Sequence, residues 1–209
     1  MAKRSSSSGR WLDEHESDAF VARARAEGYR SRAAFKLAEL DDKDRLLAPG
    51  QCIVDLGAAP GGWLQYCARK LAGSRACIVG IDILPIDPID GAHVITEDFR
   101  EQAAVEALER VLQEQPVDLV LSDMAPNISG VRNADQAAAM GLLELAEDFA
   151  ATHLRAGGSF VAKAFQGEGF DAFVGRLRGR FRSVALRKPK ASRSRSREIY
   201  VVARDWRDE

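Results

Sequence analysis

No apolar run in this 209-residue chain approaches the roughly 20 residues a membrane-spanning helix needs, and no signal-like apolar stretch stands near its start. Cysteine is scarce. Cys52, Cys67 and Cys77 are an odd number with no C-x-x-C pair, which argues against a disulfide framework and suits reduced thiols packed as small hydrophobes. His15, His93 and His153 are scattered and make no metal-ligand spacing. There is no internal repeat and no convincing domain boundary. These absences exclude membrane, disulfide-stapled and zinc classes, and leave a metal-free, cytoplasmic monomer as the expectation. The length suits one domain with a substantial core.

What the sequence does have is a separation of charge hidden by a net charge of −1. Residues 176–197 hold ten Lys/Arg and no Asp or Glu, and residues 1–36 hold eight basic against five acidic side chains. Residues 37–175 hold ten basic and twenty-two acidic. A basic run that alternates with strand residues can form a patch fixed on a folded surface, and such a patch suits the phosphates of a nucleic acid.

Strand and helix signals alternate through most of the chain. Residues 3–10 are Ser-rich and expected to be disordered. A helix is predicted over 14–27, stopped by Gly28, and Ser31 is placed to cap a second helix carrying Phe35, Lys36, Leu37, Ala38 and Leu40. Apolar strands follow at 52–56, 77–81, 93–96, 117–122, 159–164, 183–186 and 199–203. Helices are predicted between them at 62–71, 100–113, 135–154 (ended by Ala156-Gly157-Gly158) and 169–179. The pattern predicts a doubly wound α/β domain over 29–209, its seven-stranded sheet mostly parallel, behind a basic helical extension at 1–28.

The first strand ends in Val54-Asp55-Leu56-Gly57-Ala58-Ala59-Pro60-Gly61-Gly62-Trp63, at the place where such sheets bind ligands. Three residues separate Gly57 from Gly61, so this is not the G-x-G-x-x-G turn that cradles a pyrophosphate. Acids then recur at strand ends, Asp82 after the second strand and Asp98 after the third. A carboxylate at Asp82 suits the two hydroxyls of an adenosyl ribose. Asp98-Phe99 suits an adenine, its amino group at the carboxylate under an apolar face. A pocket bearing Asp55, Asp82, Asp98 and Asp123 would repel a pyrophosphate and welcome a sulfonium and an ammonium. That favours S-adenosylmethionine over a nicotinamide cofactor.

The fourth strand delivers Asp123 and the fifth delivers Lys163 between apolar neighbours, an expensive place for an ammonium without partners. Glu198 opens the last strand directly after the basic run. Lys163 suits either a base, if burial lowers its pKa, or a charged group that stabilises a developing alkoxide. Residues alone leave both open, together with a non-catalytic RNA-binding protein on the same fold.

Taken together, several segments resemble one family over nearly the whole chain, residues 10 to about 203. They are Ala26–Leu37, Asp55–Trp63, Ser122–Asn127, Lys163 with Phe165–Phe170, and Arg187–Pro189 with Ser196–Glu198. The family is the bacterial FtsJ-type ribosomal RNA 2′-O-methyltransferases. The resemblance implies a Rossmann-like methyltransferase fold and S-adenosylmethionine as methyl donor. It implies a catalytic set at Lys36, Asp123, Lys163 and Glu198, with Lys163 as proton acceptor, and cofactor residues at Gly61, Trp63, Asp82, Asp98 and Asp123. Asp55 and Gly57 belong to the same turn. The substrate it implies is a uridine ribose in the A-loop of large-subunit RNA, within the assembled 50S subunit or a late precursor. Arg32, Arg193, Arg195 and Arg197 are the expected RNA contacts. One departure is the absence of a proline from residues 129–135.

Overall fold

The computed structural model describes residues 18–193 and 196–207. In chain order these form α1 (Ala19–Ala26), α2 (Ala33–Asp44), β1 (Cys52–Leu56), α3 (Gly62–Lys70), β2 (Cys77–Asp82), β3 (His93–Thr96) and α4 (Gln102–Leu112). Then come β4 (Val117–Ser122), α5 (Arg132–His153), β5 (Leu154–Phe165), α6 (Phe170–Arg180), β6 (Phe181–Arg187) and β7 (Glu198–Trp206). One sheet runs β3-β2-β1-β4-β5-β7-β6, parallel except for β7, which is antiparallel to both its neighbours. The doubly wound, mostly parallel reading of the sequence holds. Among the described residues no helix is long and apolar enough to cross a membrane.

Alternation along each strand divides the core into two layers. On one face Cys52, Val54 and Leu56 of β1, Val120 of β4, and Phe160 and Ala162 of β5 pack under α4, α5 and α6. On the other, Ile53, Leu119, Leu121, Val161, Tyr200 and Val202 pack under α2 and α3. The strand order reverses between β1 and β4, and a crevice opens at such a switch point beyond the carboxyl ends of the strands.

Three local expectations need correction. Ser31 does not cap α2: the N-cap is Arg32 without a side-chain bond, and the Ser31 hydroxyl instead lies where a Cβ on Gly62 would meet it at 2.3 Å. Ala156-Gly157-Gly158 does not end the long helix. The chain leaves α5 at Leu154 directly into extended backbone, and the glycines fall inside β5, where Gly157 (φ 78°) accompanies a register irregularity against β4. The 14–27 helix begins at Ala19 among the described residues, with Asp18 accepting a bond from the Phe20 amide as its cap. The Ser-rich leader and positions 14–17 lie outside the described residues.

Two glycines make opposite predictions. Gly57 has φ 76°, and a Cβ there would stand 2.5 Å from Met124 Cγ and 3.1 Å from the Met124 backbone. Gly57→Ala is therefore expected to lower the unfolding free energy by about 1–3 kcal/mol. Gly141 lies inside α5 with nothing within 4 Å of an added Cβ. Gly141→Ala should raise stability by roughly 0.5–1 kcal/mol, both changes read as shifts in urea midpoint at constant slope.

Candidate active site

The two-residue period of the strands brings the expected catalytic set to one face. Asp123 continues the parity of Leu119 and Leu121, Lys163 that of Val161, and Glu198 that of Tyr200 and Val202, so all point to the layer covered by α2 and α3. Because β7 runs antiparallel to β5, its start lies beside the end of β5: Lys163 is registered against Tyr200, and Phe165 against Glu198. Lys36 comes down from α2 into the same layer.

The four groups meet. Lys163 Nζ is 3.1 Å from Asp123 Oδ1 and also donates to the Asp123 carbonyl. Lys36 Nζ is 3.0 Å from Glu198 Oε1. Between the pairs stands Tyr200, whose hydroxyl accepts from Lys36 Nζ at 2.9 Å and donates to Asp123 Oδ1 at 2.7 Å. The side chains are sunk, 7% exposed at Lys36, 9% at Lys163, 12% at Glu198 and 19% at Asp123. Nothing in the sequence singled out Tyr200. Its one signal was its place, opposite Lys163 on a neighbouring strand.

Charge balance explains how the two carboxylates stay ionised in so dry a place. Burial works to raise the Asp123 carboxyl, but Lys163, Lys36 and the Tyr200 hydroxyl outweigh it and hold it below its ordinary value. Burial opposes Glu198 in the same way, and Lys36 with the Ser192 hydroxyl pulls it down. Tyr200 goes the other way: burial and the two carboxylates push its hydroxyl well up, so it keeps its proton and its role as a donor.

The turn after β1 fits an adenosyl sulfonium with an amino-acid tail. Gly57 and Gly61 both take positive φ (76° and 103°), and a Cβ on Gly61 would stand 2.7 Å from Ile89 Cδ1. Asp82 closes this turn by accepting from the Ala59 amide at 2.9 Å. Asp55 is fully buried at the end of β1, and neither carboxylate oxygen has a hydrogen-bond partner among the described residues. Burial, with Asp123 and Asp82 nearby, pushes its carboxyl well up. A buried acceptor in this condition is suited to a ligand ammonium.

Other expected cofactor residues sit differently. Asp98 is partly exposed and engaged by the Arg100 guanidinium and amide, which hold its carboxyl at about 2. Phe99 does not offer a face to a ligand. It is buried in the opposite layer, edge-on to Phe149 at 5.5 Å. The apolar side chains available beside Asp82 are instead Ile83 and Leu84, which are exposed. Trp63 is buried. Its indole donates to the Ala33 carbonyl at 2.8 Å and packs against Tyr200 at 5.9 Å, fastening α3 to α2 behind the four charged groups.

A cleft of about 530 Å³ opens over Lys36 and Asp123, walled by Arg25 of α1, Tyr29, Arg30, Arg32 and Arg193. Arg32 forms an ion pair with Asp18 that holds α1 against this wall. The basic run does not form one patch. Arg176 and Arg180 are committed to Glu147 of α5, Arg187 makes a two-pronged pair with Asp44, and Lys188 ties the Ser196 and Glu198 carbonyls. Of the expected RNA contacts in that run, Arg193 lines the cleft, Arg197 adjoins Glu198, and Arg195 lies outside the described residues.

Known proteins resemble this chain in sequence and fold. Residues 29–206 match the model of the FtsJ-like methyltransferases. The chain is 56% identical over 204 residues to the ribosomal RNA large subunit methyltransferase E of Alkalilimnicola ehrlichii, covering 98% of this chain and 97% of that one. It is 54% identical to the protein of that name from Stenotrophomonas maltophilia, covering 99% and 98%. Among solved structures, a ribosomal RNA methyltransferase from Plasmodium falciparum superposes with a TM-score of 0.78 at 31% identity, over 85% of this chain and 98% of that one. This chain belongs to the FtsJ-like methyltransferase family.

Proposed function

We propose that the chain transfers a methyl group from S-adenosylmethionine to the 2′-hydroxyl of a uridine ribose in large-subunit ribosomal RNA, in the A-loop of an assembled 50S subunit or late precursor. The observation that carries the chemistry is the Tyr200-bridged meeting of Lys36–Glu198 with Lys163–Asp123. Support for the RNA comes from the cleft arginines and from relatives named for large-subunit RNA.

Bound S-adenosylmethionine supplies an electrophilic methyl group on a sulfonium. Asp55 suits its ammonium, Asp82 its ribose hydroxyls, and the Gly57–Gly61 backbone leaves room for its close approach. Lys163, held by two acceptors from Asp123, is oriented to donate to the ribose 2′-oxygen and stabilise the negative charge that develops on it. The hydroxyl proton, made strongly acidic as the new O–C bond forms, leaves for water. Tyr200 and Lys36 act behind this pair and fix the Asp123 carboxylate.

Lys163→Ala is expected to leave S-adenosylmethionine affinity nearly unchanged while lowering methyl transfer to undermethylated large subunits by about 10²–10⁴-fold. Mapping the ribose that resists alkaline cleavage checks both activity and target. Near-normal turnover in this variant would remove Lys163 from the chemistry.

Asp55 adds a pH signature. Its carboxyl is raised in the folded chain, so the folded state binds its proton more tightly than the unfolded one. That contribution to stability is present at pH below the unfolded value and is lost as pH rises toward the raised one. Asp55→Asn should remove this decline, measured as unfolding midpoint against pH without cofactor, and should weaken S-adenosylmethionine binding at neutral pH by about tenfold or more.

Neutralising Arg193, Arg195 and Arg197 together should flatten the dependence of RNA affinity on salt, by about one unit of log–log slope for each phosphate that is no longer neutralised. An unchanged slope in a filter-binding titration would mean that these side chains face away from the RNA.

A further inference from the structure

Among the described residues five large hydrophobic side chains are exposed: Ile83, Leu84, Ile128, Val131 and Leu186. Isolated exposed hydrophobics are ordinary on a protein surface. Four of these five, however, stand on the two loops that leave the carboxyl ends of β2 and β4, on either side of the glycine turn of β1. Ile83 and Leu84 follow Asp82 and belong to the cofactor side. Ile128 and Val131 follow Asp123, and at 82% and 62% they are the most exposed of the set.

The loop that carries them is built to hold them out. At its start Met124 abuts Gly57 so closely that a Cβ there would overlap it. At its end Asp135 of α5 accepts from the Ser129 amide and hydroxyl, each at 2.7 Å, and from the Gly130 amide at 3.1 Å. The Val131 amide in turn donates to the Ser129 hydroxyl at 3.2 Å. Both ends are pinned while the apolar side chains between them find no core.

We propose that Ile128 and Val131 form an apolar wedge that enters the base stack beside the target nucleotide and holds its ribose out toward Lys163. The inference rests on reading the chain as a ribose methyltransferase. The catalytic side chains are only 7–19% exposed, so a ribose still held in a stacked strand cannot bring its 2′-oxygen to them. The nucleotide must be splayed out, and the stacking it gives up is commonly replaced by inserted aliphatic side chains. A preorganised pair of such side chains, five and eight residues beyond Asp123 in the chain, has the chemistry and the rigidity for this task.

The test uses the full chain and large ribosomal subunits that lack the methyl group. Each variant is bound to subunits with S-adenosylhomocysteine, and base reactivity to dimethyl sulfate and carbodiimide is read around the target. The wild-type chain should raise the reactivity of the bases flanking the target. Ile128→Ser with Val131→Ser should not, and its kcat/KM should fall at least about tenfold with cofactor affinity and salt slope unchanged. Ile128→Met with Val131→Ile keeps the apolar bulk and should restore both readouts. Activity within about twofold of wild type, or flanking reactivity that still rises in the Ser variant, overturns the wedge. A loss confined to KM with base reactivity intact also overturns it and makes these side chains a contact for ribosomal protein. Should the wild-type chain itself fail to methylate the subunits, the substrate reading falls instead, before any variant is compared.

Discussion

The Tyr200 hydroxyl is the point through which the rest of the site is organised. Two ammonium groups and two carboxylates buried together would each lose several kcal/mol of hydration, and pairing alone often fails to recover it. Here one neutral hydroxyl accepts from Lys36 and donates to Asp123, so two separate ion pairs become one hydrogen-bonded row from Glu198 to Lys163. The row sets direction as well as charge. With its proton retained, Tyr200 can only donate to Asp123, which leaves Asp123 Oδ1 shared between that hydroxyl and Lys163.

The row exists because of where β7 runs. A parallel final strand would place the start of β7 at the far end of β5, and Glu198 would stand away from Lys163. Antiparallel insertion between β5 and β6 sets Tyr200 opposite Lys163 and Glu198 opposite Phe165. Trp63 then backs Tyr200 from α3 and, through Ala33, ties α2 and therefore Lys36 to the same layer. Three separate segments are thus brought together by register, by the indole hydrogen bond and by the bonds that Tyr66 and Arg187 make to Asp41 and Asp44 of α2.

Much of this was legible in the chain. Alternating apolar strands and helices gave the doubly wound sheet. A lysine among apolar strand neighbours and the acid that ends the fourth strand marked two of the residues that meet, Lys163 and Asp123. What was not legible depends on partners distant in sequence. Tyr200 looks like any buried strand aromatic until its register with Lys163 is known. Phe99 adjoins Asp98 in sequence but enters the opposite layer, because the chain turns into α4 there. The glycines at 157–158 read as a helix stop, whereas the chain is already extended from Leu154 and they fall inside β5, at its register shift against β4. The ten basic residues at 176–197 read as one patch, but Glu147 and Asp44, acids from earlier helices, draw three of them into structural pairs.

That last redistribution bears on how a chain with a net charge of −1 can present a cleft to a polyanion. The acidic middle of the sequence is not spread evenly over the surface. Asp41, Asp44, Asp55 and Glu147 are buried, and Asp123 with Glu198 is neutralised by two lysines inside the site. The long-range field of a paired charge falls off faster than that of a lone one, and salt screens what remains beyond about 10 Å. The cleft wall meanwhile carries Arg25, Arg30, Arg32 and Arg193 close to Lys36 and Asp123. Local arrangement, more than the sum of charges, decides what such a surface attracts. It also separates two settings: arginines line the rim of the cleft, and the Lys163 ammonium lies at depth, held by the carboxylate and the carbonyl of Asp123.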